Sequence, residues 1–171
     1  KPILTYWIQV VSMYAFGANE FALRAPSIFS SFIWAYCFSN FVKQHTRNVH
    51  RSEIFLNLMT LPGVFIISFA ATADAFLNLF ITLLMINLYN YSIKKEDKLL
   101  IWSGIYVALG FLTKGLTIIA ICGTVSFVYF SLKGQLLNFF KILFSWKAWL
   151  AFAIVVLPLS LIHISEPTRL T

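Results

Sequence analysis

Long apolar runs, parted by short polar or charged stretches, set the order of elements along this chain. Leu4–Phe16 is apolar and aromatic but short, and predicts a helix lying at a membrane interface (about 4–16) rather than a span. Gly17-Ala18-Asn19 is a turn, and a first span follows over about 24–42, uncharged from Pro26 onward. Lys43 to Arg51 is a polar, basic loop. A second span covers 54–73, with Pro62-Gly63 predicting a kink near its middle. Asp74 interrupts, and a third span runs over 75–93. After the turn Lys94-Lys95-Glu96-Asp97-Lys98 come spans over 99–113 and 115–132, divided by Lys114. Lys133 to Lys147 mixes three lysines with Phe, Leu and Trp, the pattern of a second interfacial helix, and 148–158 opens a further span that is cut short. Backbone groups in lipid must be satisfied internally, so these spans are expected to be α-helical. A membrane β-barrel would instead show segments of roughly ten residues with alternating polarity, which are missing here.

Composition narrows the class. The 171 residues are 60% apolar and 11% charged, whereas soluble domains are roughly 45–50% apolar and about a quarter charged. A soluble protein of this size cannot bury such an excess. Hydrophobicity excludes disorder, and two cysteines, Cys37 and Cys122, do not make a disulfide scaffold. The chain reads as an all-α polytopic membrane protein. Its 13 Lys or Arg outnumber 6 Asp or Glu, and they are not evenly placed. The segments 43–51, 94–98 and 133–147 are basic, whereas Lys1, Glu20, Arg24, Asp74 and Lys114 alternate to the other side. The positive-inside rule places the first group in the cytoplasm and the second at the outer face.

The two ends have their own signals. Lys1-Pro2 carries neither an initiator Met nor a signal peptide. Leu159 to Arg169 is what a sequencing-library transposase adapter encodes, codon for codon, although Pro158, Pro167 and the polar mix also suit an ordinary helix end. The expectation is therefore a native fragment over 1–158, with 159–171 (His163, Glu166 and Arg169 included) foreign to it. Amplifying the locus from source DNA tests this: the codons for 159–171 should be absent there.

Isolated ionisable residues at span ends are the candidates for chemistry. Asp74 suits the N-cap of a helix starting at Ala75, or a carboxylate at the mouth of a bundle that holds a substrate hydroxyl or a divalent metal ion. Lys114 suits a snorkelling lysine or an ammonium that binds a lipid phosphate. Lys1 and Arg24 are cations on the same side, though Glu20 pairs with Arg24 at i,i+4 as ordinary helix dressing. The asparagines in apolar runs, Asn87 among them, suit hydrogen bonds between helices. His45 and His50 have no carboxylate or cysteine at ligand spacing. Phosphate loops, dinucleotide fingerprints, serine elbows and zinc motifs are missing, and nothing points to nucleic acid.

Four elements, in order, carry a resemblance. Lys1-Pro2-Ile3-Leu4-Thr5-Tyr6-Trp7 is followed by Phe16-Gly17-Ala18-Asn19-Glu20 and Arg24-Ala25-Pro26-Ser27, then Thr72-Ala73-Asp74-Ala75-Phe76-Leu77, then Gly110-Phe111-Leu112-Thr113-Lys114-Gly115. Over 1–158 the chain resembles the bacterial dolichyl-phosphate-mannose-protein mannosyltransferase-like family (glycosyltransferase family 39, aminoarabinose-transferase-like). It departs from the family pattern at Ile3 and Leu116, where Pro is usual, and by an extra Ala73 between Thr72 and Asp74.

The resemblance implies the N-terminal part of a GT-C-type helix bundle. It implies transfer of a sugar from a polyprenyl-phosphate carrier to a lipid or protein acceptor, on the periplasmic or outer face of the bacterial inner membrane. Within the family pattern Asp74 matches an acidic position near the reacting centre. Lys1, Arg24 and Lys114 match cations that meet the carrier phosphate, support the outer loop or face the same cavity, while the acidic residue that family members use as catalytic base belongs to an outer loop preceding Lys1. The chemistry suits such groups: transfer needs a base for the acceptor hydroxyl and cations for the charge developing on the leaving phosphate. A fragment of a lipid or sugar transporter or flippase remains the alternative. That reading expects ionisable or unwound elements near mid-membrane, and a purely structural subunit would leave the ordered outer charges unexplained.

Overall fold

In the computed structural model residues 3–164 are described, with side chains described to residue 158. Those residues form α1 (Ile3–Phe16), α2 (Glu20–His45), α3 (Arg51–Thr60), α4 (Pro62–Phe69), α5 (Asp74–Lys94), α6 (Asp97–Lys114), α7 (Thr117–Leu132), α8 (Leu136–Leu143) and α9 (Trp146–Ile164). Lys1, the first of the predicted phosphate-binding cations, lies outside the described residues.

Local chemistry sets the boundaries. The Asn19 side chain accepts the Ala22 N–H at 2.7 Å, capping α2, and donates to the Phe16 carbonyl at 2.9 Å, closing α1. These two hydrogen bonds start α2 at Glu20, one turn ahead of the span expected from about 24. The kink expected at Pro62-Gly63 is a full break: α3 and α4 meet at 69°. Pro62 lacks an N–H and disfavours helical geometry in the residue before it, and Leu61 is accordingly extended at ψ 126°. Gly115, at φ +64°, ends α6 in a conformation that costs glycine little.

An apolar cluster of Leu77, Leu84, Leu88, Ile118 and Cys122 is buried between α5 and α7, whereas α1 and α2 turn polar and small residues inward and apolar ones outward. On α2 the buried residues are Ala22, Ser27, Ser30, Ser31, Ala35 and Ser39, while Phe29, Phe32 and Tyr36 are exposed. On α1 the buried residues are Thr5, Gln9 and Ser12, while Val10, Val11 and Tyr14 face outward. Such inversion suits a helix whose surroundings are as apolar as its own side chains, so that close backbone approach and hydrogen bonds hold it to its neighbours.

Those hydrogen bonds fix direction. Ser27 Oγ donates to the Thr72 carbonyl at 3.4 Å, Ser30 Oγ to the Ala75 carbonyl at 3.3 Å, and Trp34 Nε1 to Thr82 Oγ1 at 2.8 Å, so α2 and α5 run parallel. Asn87 Nδ2 donates to the Leu99 carbonyl at 2.6 Å and Ser103 Oγ at 2.7 Å, joining α5 to an antiparallel α6 in the manner expected of a buried asparagine. Lys147 pairs with Asp97, and Phe111 meets Phe152 at 5.8 Å, so α9 ascends beside α6.

Among the described residues two stretches are long and apolar enough to cross a membrane, Asp74–Lys94 and Leu136–Pro158, the latter including the turn between α8 and α9. A third is reached if α3 and α4 count as one bent span. The expected spans at 24–42, 99–113 and 115–132 fall on helices that lie outside this set. Four serines dilute α2, Asp97, Lys98 and Lys114 lie within α6, and α7 has 16 residues.

α6 and α9 approach closely at Gly104. A methyl group on Gly104 would sit 2.2 Å from the Ala148 carbonyl oxygen, and backbone cannot yield as a side chain would. Gly104→Ala should therefore destabilise the detergent-solubilised protein by about 1–3 kcal/mol. Gly123→Ala, whose methyl group would meet open space, should leave stability unchanged or slightly raised. Thermal melts of both variants check the contrast.

Candidate functional site

The hydrogen bonds that orient the helices also gather the ionisable residues into two ends. Phe41 and His45 pack on Tyr89 at 5.3 and 5.0 Å, and Ser92 lies 3.2 Å from the Tyr129 hydroxyl. The C-terminal ends of α2, α5 and α7 therefore meet where Lys43, Lys94, Lys95, Lys98 and Lys133 cluster. The opposite end holds the start of α2, the start of α5 and the end of α6.

At that opposite end Asp74 and Lys114, forty residues apart in sequence, are in contact through Asp74 Oδ1 and Lys114 Nζ. Asp74 is the first residue of α5, and Ala73 occupies the N-cap position without any side-chain bond. The carboxylate thus bridges to α6 instead of capping its own helix. Each charge also suits its helix end, an anion at the N-terminus of α5 and a cation at the C-terminus of α6. Their side chains remain 38% and 45% exposed. An ion pair that open is worth about 0–1 kcal/mol in water, and it leaves both groups accessible to a ligand.

The segment that delivers Asp74 is held from two sides. Ala71 has a left-handed φ of +52°, unusual for a residue with a Cβ. Gln9 Nε2, on the buried face of α1, donates to the Ala71 carbonyl at 3.0 Å. Ser27 and Ser30 of α2 hold the Thr72 and Ala75 carbonyls, as given above. The sequence assigns no role to Gln9 or Ser30, and names Ser27 only within the element Arg24-Ala25-Pro26-Ser27. The available signal was the spacing of Thr5, Gln9 and Ser12, a polar helical face within an apolar run.

Arg24 lies on α2 one turn before Ser27 and so at the same end. Its guanidinium bonds Glu20 Oε2 at 3.1 Å, the i,i+4 pair expected, and no bond links it to Asp74. Among the described residues no three His, Cys, Asp or Glu side chains converge on a point that would hold a metal ion. Asp74 offers one carboxylate with an ammonium against it, a poor neighbour for a divalent cation. A cavity of about 180 Å³ lies elsewhere, among α5–α9, with Leu84, Val107, Cys122 and Phe152 in its wall. It contains neither Asp74 nor Lys114.

Residues 1–163 match the family described as Dolichyl-phosphate-mannose-protein mannosyltransferase. Among curated proteins the chain is similar to undecaprenyl phosphate-alpha-4-amino-4-deoxy-L-arabinose arabinosyl transferases. That of Shewanella sediminis (strain HAW-EB3) is 27% identical over 98% of this chain and 31% of its own length. That of Wigglesworthia glossinidia brevipalpis is 31% identical over 67% of this chain and 21% of its own. Arabinosyl transferase 1 of Proteus mirabilis (strain HI4320) is 32% identical over 67% of this chain and 22% of its own length. The chain thus spans between a fifth and a third of the length of these relatives. No solved structure matches it. With that match running nearly end to end, the chain belongs to the dolichyl-phosphate-mannose-protein mannosyltransferase family of membrane glycosyltransferases.

Proposed function

We propose that the whole protein is a membrane glycosyltransferase that moves a sugar from a polyprenyl-phosphate carrier to a lipid or protein acceptor on the outer face of the bacterial inner membrane. The observation that carries this reading is the contact between Asp74 and Lys114, remote in sequence and both open to solvent. It forms at the end of the bundle opposite the lysine-rich loops. The names of the relatives favour undecaprenyl phosphate as the carrier and an amino-arabinose as the sugar.

The site's chemistry follows from its charges. An incoming carrier phosphate competes with Asp74 for the Lys114 ammonium, which is a mobile point charge on a flexible stem. Lys114 then sits where negative charge grows as the bond between the anomeric carbon and the phosphate oxygen breaks. Released from its partner, Asp74 holds the acceptor hydroxyl beside the anomeric carbon, and as that oxygen bonds the carbon its proton passes to the base expected in the outer loop ahead of Lys1. The leaving polyprenyl phosphate keeps the electron pair of the broken bond. Arg24 lies at the same end, with its guanidinium on Glu20. Asp74 and Lys114 thus hold each other in the resting state and separate when substrate arrives.

Asp74→Asn should lower transfer from a polyprenyl-phosphate sugar by about 10²-fold or more in the purified whole protein. Lys114→Ala should raise KM for the carrier about tenfold. The exchange Asp74→Lys with Lys114→Asp preserves a pair but reverses its polarity, and should stay inactive. Transfer by this double variant at near-parent rates, with equal folding, would reduce the pair to a clamp between α5 and α6.

Orientation is tested separately. Single cysteines in a background lacking Cys37 and Cys122 should react with an impermeant thiol reagent in intact spheroplasts when placed at 74 or 114. A cysteine at 95 should react only after permeabilisation. The expectation rests on the charge asymmetry between the two ends.

A further inference from the structure

We propose that Gln9 is a positioning residue for Asp74, acting through the left-handed turn at Ala71; this inference rests on the reading of Asp74 as a site carboxylate. Gln9 is 8% exposed and makes one hydrogen bond, from Nε2 to the Ala71 carbonyl. That bond joins α1 to the short connection between α4 and α5, two elements far apart in sequence. Ala71 is the residue of that connection with a positive φ, and Asp74 begins α5 three residues later.

The geometry explains why a fixed hold is needed there. Alanine adopts the left-handed region only against its steric preference, so the turn persists where surrounding groups hold it. Ser27 and Ser30 reach the Thr72 and Ala75 carbonyls only at 3.4 and 3.3 Å, longer than an ordinary O–H···O bond. Gln9 makes the shorter contact, at 3.0 Å, and makes it on the strained residue itself. Without it, the turn can relax toward an ordinary conformation, and the first turn of α5 shifts with the carboxylate it carries. A reacting group displaced by about 1 Å can lose on the order of 10²-fold in rate, so a partial shift matters.

A hydrogen-bond clamp and a generic packing contact respond differently to a glycine at 71. Gln9→Met keeps the length and much of the volume of the side chain while removing the donor. Ala71→Gly makes the left-handed conformation accessible without a clamp. In the whole protein, Gln9→Met should lower kcat for transfer about tenfold with KM for the carrier within about twofold, and adding Ala71→Gly should restore most of the loss. A second readout needs no activity: cysteines at 74 and 114, joined by a short bifunctional thiol reagent in a background lacking Cys37 and Cys122. Gln9→Met should slow their crosslinking several-fold, and Ala71→Gly should again restore it. Crosslinking at the parent rate in Gln9→Met, or a loss that Ala71→Gly does not recover, overturns the proposal. If crosslinking follows the expected pattern while Asp74→Asn transfers normally, the site reading fails and the control of the turn by Gln9 stands.

Discussion

Association between these helices depends on polar groups that have turned inward. With aromatic and aliphatic side chains covering the outside of α1 and α2, burial of apolar surface distinguishes poorly between one helix arrangement and another. What distinguishes them is the set of hydrogen bonds that cross between helices and the places where small residues let backbones approach. Ser27, Ser30 and Trp34 bind α5 to α2 in one direction, and Asn87 binds α6 to α5 in the other. Gly104 then allows α9 to lie against α6. Each contact is worth about 1 kcal/mol or less, so no single one determines the bundle, but together they allow one register.

The same constraint produces the site. Helix ends are where backbone and side-chain charge can reach water, so ionisable residues collect there. The parallel pairing of α2 with α5 and the antiparallel pairing of α5 with α6 bring the start of α2, the start of α5 and the end of α6 to one level. Arg24, Asp74 and Lys114 share an end for that reason. Of the three, only Asp74 and Lys114 touch, because Arg24 is already engaged by Glu20 on its own helix.

Much of this was legible in the sequence, and the gaps have physical causes. The apolar runs gave the helical class and most helix positions, since run length and charge interruptions are local signals. The break at Pro62 could be read from proline's missing donor, although the 69° angle could not. Asp74 and Lys114 were visible as lone charges at the ends of apolar runs. Their contact was not visible, because it depends on the antiparallel packing of α5 on α6. Reading Asp74 as a helix cap failed because pairing with the α6 lysine won over a local bond to its own backbone. Gln9 was overlooked since a polar residue in an apolar run has no partner in sequence, and its partner is a backbone carbonyl sixty-two residues away.

The bent return from the lysine-rich end to the Asp74 end involves an arithmetic of lengths. The 21 residues of α5 rise about 31 Å. The 10 residues of α3 and 8 of α4, joined at 69°, reach about 22 Å end to end. The return path is therefore about 9 Å shorter than α5. At the start of this shorter return, the Arg51 guanidinium bonds Asn40 at 3.1 Å and lies over the Tyr36 ring at 4.7 Å. The arginine thus ties the first residue of α3 to the flank of α2, five or more residues short of that helix's end.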